Sequence, residues 1–307
     1  MKIPIPEQSG FADAVIDALS SNLCVIDENG VIVTVNRAWR DFVTDNPPVS
    51  ANAGIGSNYL RICEAAVGPG SEEARAFAAG IRSVLDGETE LFQMEYPCPS
   101  PVENRWFLGR VTPLAGLRGA VISHGVITER KLLEFELIRL ATTDPLTGLP
   151  NRRFFQEAAN LEVERVNRFG AFAAVAMLDI DHFKAINDRH GHASGDQALV
   201  RVTRSCSALV RKIDVFARIG GEEFALLLPG TDEAGAAAMA EKLREAIAQT
   251  RILAGGKLIA VNGSFGVAQV HAGDRDIDDC LSRADRTPYA AKAAGRDRVV
   301  RFSDLDA

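Results

Sequence analysis

The spacing of hydrophobic and polar positions changes character twice along the chain. From about Phe11 to Thr128, short strand-like apolar runs alternate with loops. LCVID and VIVTV flank Glu28-Asn29-Gly30, and Asn-Gly between β-branched runs predicts a hairpin. A loop rich in Gly, Pro and Asn (NPPVSANAGIGSN) follows. SEEARAFAAGIRSVLDG predicts a helix, with Ser71 as N-cap and Ala74, Phe77, Ile81 and Leu85 on one face. LFQMEY, RWFLGRV and GAVISHGVI predict three further strands. In ITERKLLEFELIRLATTD, Leu133, Leu137 and Leu140 recur at spacings of four and three. That is a short amphipathic helix suited to pairing with its copy in a second subunit. Asp144-Pro145 ends it, because the residue before proline disfavours helical geometry. Beyond Asp144, helix and strand patterns alternate to the end of the chain. The predicted organisation is 1–127 as an N-terminal domain, 128–143 as a linker helix and 144–307 as a second domain.

Composition narrows the function classes. A length of 307 residues suits two domains, each able to bury a core. The net charge of −7 argues against a general nucleic-acid binder, which needs surplus Lys and Arg to neutralise phosphates. Five scattered cysteines (Cys24, Cys63, Cys98, Cys206, Cys280) form no CxxC pair, which disfavours a disulfide framework or zinc site. The first residues lack the basic start and apolar core of a signal peptide, and no apolar run approaches a membrane span. The expected location is the cytoplasm, with no membrane partner.

Two stretches carry candidate chemistry. AFAAVAMLDID is a buried strand ending in Asp179-Ile180-Asp181, where a hard cation such as Mg²⁺ is commonly held through oxygen ligands. HFKAINDRHGH then predicts a helix ending at Gly191, whose N-terminal N–H groups and Lys184 offer a phosphate site. Alone, an Asp-x-Asp is more often a cap beside a solvated acid. In FARIGGEEFALLLP, Gly220-Gly221 predicts a tight primed hairpin with both glycines at positive φ. Glu222 and Glu223 follow at its tip, and a lone tip of this kind is usually a pair of solvated acids. Adjacent residues on a regular strand face opposite sides, so both acids reach one cation only if the tip is distorted.

Together, TDPLTGLPNRR (Thr143 to Arg153), LDIDHFKAINDRHGHASGD (Leu178 to Asp196) and RIGGEEF (Arg218 to Phe224) resemble the GGDEF family in order and spacing. VNGSFGVA and AKAAGRDRV extend the resemblance, which runs to Phe302. It implies a polymerase-palm-like α/β domain: a diguanylate cyclase condensing two GTP into cyclic di-GMP and two pyrophosphates. Two Mg²⁺ or Mn²⁺ ions per active site are implied, held by Asp179, the backbone of Ile180, and the catalytic acids Glu222 and Glu223. Glu222 also matches the position that activates the 3′-hydroxyl. Asn187 and Asp196 match guanine contacts, with His192 in the same segment; a serine at the Asp196 position marks relaxed base choice. Phe183, Lys184, Lys292 and Arg296 match triphosphate contacts, and Gly220 lets backbone approach the phosphates. Because each domain holds one GTP, the activity implies a homodimer. Arg211 and Asp214 form an RxxD ending five residues before Gly220, which matches the family's allosteric product-inhibition site. As a bare motif it is a surface ion pair. The family's AD-x-A-L-Y-x-A-K segment is here Ala284 to Lys292 with Pro288 inside. That proline either kinks a helix or begins one.

The N-terminal half resembles a PAS domain, an antiparallel sheet with helices whose closing strand and exit helix match SHGVITERKLLE. The resemblance implies sensory control of the cyclase, through a small ligand or through dimerisation alone. Cys24, Cys63 and Cys98 read as core or loop thiols, and His124 falls on the last strand rather than on a helix, which disfavours haem. The alternatives to an enzyme are a catalytically silent domain that only binds GTP or cyclic di-GMP, and a dimeric scaffold.

Overall fold

In the computed structural model, which describes residues 8–46, 53–68, 70–99, 103–254 and 256–305, the Asn-Gly signal closes the hairpin it predicts. Helix α1 (Gln8–Asp17) precedes strand β1 (Asn22–Asp27), which pairs antiparallel with β2 (Ile32–Val35). The Asp27 carboxylate accepts from the N–H groups of Asn29 and Val31 at 2.9 and 2.8 Å, and Gly30 takes the left-handed φ of 80°. Asn36 is wholly buried. It caps α2 (Arg37–Asp45) by accepting from Trp39 N–H, and its amide donates to the carbonyls of Ile16, Leu19 and Ser21. Residues 47–52, part of the predicted Pro- and Asn-rich loop, lie outside the described residues.

Helices α3 (Tyr59–Glu64) and α4 (Ser71–Leu85) follow. Ser71 is the first helical residue of α4 rather than its cap, which is Gly70 with a left-handed φ of 84°. The predicted α4 stripe holds: Phe77 and Ile81 are buried against Ile26, Val111 and Ile122 of the sheet. That sheet is completed by β3 (Phe92–Pro99), β4 (Asn104–Pro113) and β5 (Gly119–Val126), antiparallel throughout in the order β2-β1-β5-β4-β3.

The chain divides into two compact units, one ending at Phe135 and the other beginning at Glu136. Helix α5 (Thr128–Thr142) runs across that division. None of its residues is buried, and Leu133, Leu137 and Leu140 are 59%, 66% and 56% exposed.

The second unit is a mixed α/β layer structure. In chain order it comprises α6 (Arg152–Phe169), β6 (Ala173–Ile180), α7 (Phe183–His190), α8 (His192–Ser207), β7 (Val215–Arg218), β8 (Glu223–Pro229) and α9 (Glu233–Ala248). The β9 (Arg251–Ala254) and β10 (Lys257–Ala260) hairpin, β11 (Gly263–Gln269), α10 (Ile277–Ala293) and β12 (Val299–Arg301) complete it. The main sheet runs β12-β11-β6-β8-β7, with only the β11–β12 pair parallel. Strand β6 is central, and its side chains alternate between two cores. Ala174, Ala176, Leu178 and Ile180 pack with α7, α8 and α9; Ala173, Val175 and Met177 pack with α6 and α10. Asp179 therefore falls in register with the α6/α10 face. Among the described residues, no helix is long and apolar enough to cross a membrane.

Candidate active site

Strand pairing builds the acidic end of the site. Asp179, near the end of β6, pairs directly with Glu223, the first residue of β8, so both side chains leave the same face of the sheet. The loop before β8 is not the two-residue primed turn expected from Gly220-Gly221. The N–H groups of Ile219 and Gly220 both donate to Glu223 O at 3.0 and 3.3 Å, and neither glycine takes a positive φ. The loop thus holds Gly220, Gly221 and Glu222.

Arg218 supplies the reason. Its guanidinium donates to the carbonyls of Gly220 (3.1 Å) and Gly221 (2.7 Å) and to both oxygens of Asp144 (3.1 Å), so the two loop peptides are turned toward it. A side chain at 220 would instead displace the Glu223 carboxylate, whose Oε2 lies against that Cα. Glu222, placed in the loop, passes its carbonyl to Ile180 N–H at 3.2 Å. This distortion answers the strand-alternation problem and lets both glutamates lie near Asp179.

The charge balance at this end is negative. Burial pushes the Glu222 carboxyl up, Asp179 and Glu223 push it further, and Lys292 opposes them. Burial likewise raises Asp179 against the pull of the Lys292 ammonium, which lies 2.6 Å from its Oδ2. Asp179 Oδ1 is buried and has no hydrogen-bond partner. A cavity of about 200 Å³ is lined by Asp179, Glu223, Asp285 and Lys292. Three carboxylates against one ammonium, with an unused carboxylate oxygen, suit a hard divalent cation. Among the described residues, no three acidic, His or Cys side chains are gathered to ligate a metal as they stand.

Lys292 reaches the acids although Pro288 sits inside α10, which continues to Ala293. Proline cannot donate to Ala284 O, four residues back. The Thr287 hydroxyl donates to that carbonyl instead, at 2.6 Å. Thr287 and Pro288 are both buried against Gly266 of β11, where any side chain would strike Thr287, Pro288 and the Ala284 carbonyl. The first-turn placement of Pro288 is therefore not adopted.

The nucleotide-facing candidates gather around α7. His182 caps this helix in a left-handed conformation, φ 58°, and its side chain makes no capping hydrogen bond, which leaves the helix N–H groups to other acceptors. Phe183 is buried and Lys184 exposed in that first turn. At the other end of α7, Asn187 Oδ1 is buried without a partner and lies so close to Gly195 that a Cβ there would collide with it. Asp196 follows Gly195 and is exposed, as is His192 at the start of α8.

Some expectations are placed elsewhere. Arg296 lies past the end of α10, exposed and left-handed at φ 65°, with its N–H on Ala291 O. Arg211 and Asp214 precede β7, at the end opposite Arg218. They bind each other: the guanidinium meets Asp214 Oδ1 at 2.8 Å and Thr231 Oγ1 at 3.1 Å, and the Asp214 side chain is fully buried. Asp181, the second acid of the Asp-x-Asp, is neither cap nor solvated acid. Its buried carboxylate accepts from Ser264 Oγ (2.8 Å) and Asp297 N–H (3.0 Å), tying β6 to the turn after α10. Without those donors the buried carboxylate would cost more than the about 1–3 kcal/mol of an unpaired neutral group.

Known proteins supply the class. Residues 141–298 match the family described as diguanylate cyclase, GGDEF domain, and residues 16–131 match a PAS fold. The chain belongs to the GGDEF diguanylate cyclase family. It is 42% identical over 159 residues to the diguanylate cyclase DgcP of Pseudomonas aeruginosa, covering 52% of this chain and 24% of DgcP. Over 166 residues it is 39% identical to the response regulator PleD of Caulobacter vibrioides, covering 53% of this chain and 36% of PleD. The chain thus spans less than half the length of either relative. Among solved structures, the coiled coil and GGDEF domain of DgcB from Caulobacter crescentus, in complex with c-di-GMP, gives a TM-score of 0.53 at 32% identity. That match covers 56% of this chain and 91% of that one. The diguanylate cyclase SiaD of Pseudomonas aeruginosa, in complex with its activator SiaC, gives 0.52 at 38% identity, with coverage of 56% and 66%.

Proposed function

We propose that the second unit condenses two GTP into cyclic di-GMP with release of two pyrophosphates. The observation that carries this reading is the pairing of Asp179 with Glu223, with Glu222 delivered beside them by the distorted loop. Asp179, Glu222, Glu223 and the Ile180 carbonyl would hold two Mg²⁺ or Mn²⁺ ions, which supply charge stabilisation for phosphoryl transfer. Glu222, whose carboxyl is raised by burial, accepts the proton of the attacking 3′-hydroxyl. That oxygen bonds to the α-phosphorus of the facing nucleotide as the bond to its β-phosphate oxygen breaks, and pyrophosphate departs. Lys184, the α7 N–H groups and Lys292 then stabilise the triphosphate, Lys292 exchanging Asp179 for phosphate oxygen. Asn187 and Asp196 receive the guanine edge, with His192 beside them. Arg296 reaches the phosphates only by turning inward from its exposed position.

Two nucleotides must face each other, so the active form is a homodimer. The apolar exposure of α5 supports pairing of that helix with its copy, through which the PAS unit would govern the approach of the two catalytic units. Incubating the purified chain with GTP and Mg²⁺ is the direct test. Cyclic di-GMP and pyrophosphate in a 1:2 ratio are expected; GTP binding without product would leave a silent binding domain.

The Arg211–Asp214 pair is proposed as the product-inhibition site. Its guanidinium is half exposed and forked, suited to a phosphate, and opening the pair frees Asp214 for a guanine edge. Removing the arginine outright would strand a buried carboxylate, so Arg211→Lys accompanies Arg211→Ala as a control that keeps the charge. Both variants should raise the cyclic di-GMP concentration needed for half-inhibition by about tenfold or more, with initial rates preserved. Inhibition curves matching the native protein would reduce the motif to a structural ion pair.

A further inference from the structure

The PAS unit contains a second cavity, about 400 Å³, which the catalytic reading does not use. It lies between α4 and the β3 end of the sheet, with Phe77, Met94, Tyr96 and His124 in its walls. Its size falls at the lower end of small-molecule pockets, roughly 300–1,000 Å³. His124 lies on β5 and is 6% exposed. Its Nδ1 lies 2.7 Å from the Tyr96 hydroxyl and its Nε2 3.0 Å from the Tyr59 hydroxyl. The ring also packs on Phe77 at 5.1 Å and Trp39 at 5.9 Å. Room for this cluster is made by Gly109, which pairs with His124 across β4 and β5. Any side chain on Gly109 would strike Phe77 and crowd His124 Nδ1 at 3.3 Å.

The cluster is uncharged. Burial pushes His124 down to about 4 and raises both tyrosines, so at neutral pH all three groups are neutral. Proton counting then fixes what the relay offers. Neutral imidazole carries one N–H, and with the two hydroxyl protons it makes three donors for two hydrogen bonds. If Nδ1 carries the proton, it donates to Tyr96, Tyr59 donates to Nε2, and the Tyr96 O–H is free to donate. If Nε2 carries it, Tyr96 donates to Nδ1 and presents only lone pairs. Tyr96 therefore meets either a donor or an acceptor at the cost of one tautomer shift.

Charge selects further. Among the described lining residues there is no Lys or Arg, and the single carboxylate is Glu73. An anion would meet the Glu73 carboxylate in the wall, and the nearest cation, Arg105 behind Cys98, is drawn off to Asn46 and the Phe42 ring, while an apolar ring meets Phe77, Met94 and the aromatic cluster. We propose that this cavity binds a neutral, planar, mainly apolar small molecule, held by one hydrogen bond to Tyr96 of the Tyr96–His124–Tyr59 relay.

Indole and benzoate, similar in size but differing in charge, serve as probes for the full chain in titration calorimetry. Saturable binding of indole and none of benzoate is expected. Tyr96→Phe keeps the ring that stacks on Phe107 but loses the hydroxyl, and should weaken indole about fivefold. Ala74→Phe, filling the cavity from α4, should abolish binding; if that variant fails to fold, Tyr96→Phe decides alone. The proposal is overturned if indole does not saturate, if Tyr96→Phe binds it as tightly as the native chain, or if benzoate binds equally well. None of these readouts involves GTP, so they stand apart from the cyclase assignment.

Discussion

Glu222→Gln should lower cyclic di-GMP formation by about 10³-fold while leaving the fold intact. The substitution keeps shape and removes only the ionisable oxygen. The link that holds the loop to β6 is the backbone carbonyl of residue 222 on Ile180 N–H, which glutamine preserves. Because Asp179 and Glu223 both push the Glu222 carboxyl up, neutralising it also relieves like-charge repulsion. The thermal midpoint should therefore hold or rise as the rate collapses. Initial rates with GTP and Mg²⁺, paired with calorimetric unfolding, separate the two effects. A rate near the native value would remove Glu222 from the reaction, and a falling midpoint would make its role structural.

Base choice should be nearly as sensitive. Guanine presents two N–H donors along its Watson–Crick edge, which the Asp196 carboxylate can accept; adenine presents an acceptor there, which a carboxylate repels. Asn187, its Oδ1 buried without a partner against Gly195, waits for a donor on the same side. The native protein should favour GTP over ATP by about 10²-fold or more in kcat/KM. Asp196→Ser, which keeps a small polar group but drops the charge, should erode that ratio mainly by admitting ATP. Competition assays with both nucleotides measure it directly, and comparable use of ATP and GTP by the native chain would end the assignment.

Much of this site was legible because its residues are locally ordered: a buried strand into Asp179, a helix ending at Gly191, and a Gly-Gly-Glu-Glu tip. What escaped depends on partners distant in sequence. The Gly220-Gly221 turn looked primed because both glycines permit positive φ. Its conformation is set instead by Arg218 and, through it, by Asp144, 74 positions earlier. Asp181 resembled a solvated acid because its donors, Ser264 and the Asp297 amide, come from the far end of the domain. Ser71 looked like an ordinary N-cap, yet the preceding Gly70 takes that position in a conformation serine disfavours. The PAS strands, by contrast, followed directly from alternation, since one face of each packs on the core.

The packing of Thr287 and Pro288 on Gly266 means that the reach of Lys292 toward Asp179 is set from the floor of the sheet. A helix interrupted by proline has lost one of its own restraints, and here the neighbouring strand and a hydroxyl stand in for it. The obstruction to a larger residue at 266 includes helix backbone, 2.7 Å away at Ala284 O, which cannot swivel aside as a long side chain can. Enlarging residue 266 would lift the segment of α10 that ends in Lys292, withdrawing the ammonium from Asp179 without touching either residue. A methyl group on the middle of β11 would thus act like a substitution in the candidate site itself, whose mutational footprint extends into what looks like ordinary core.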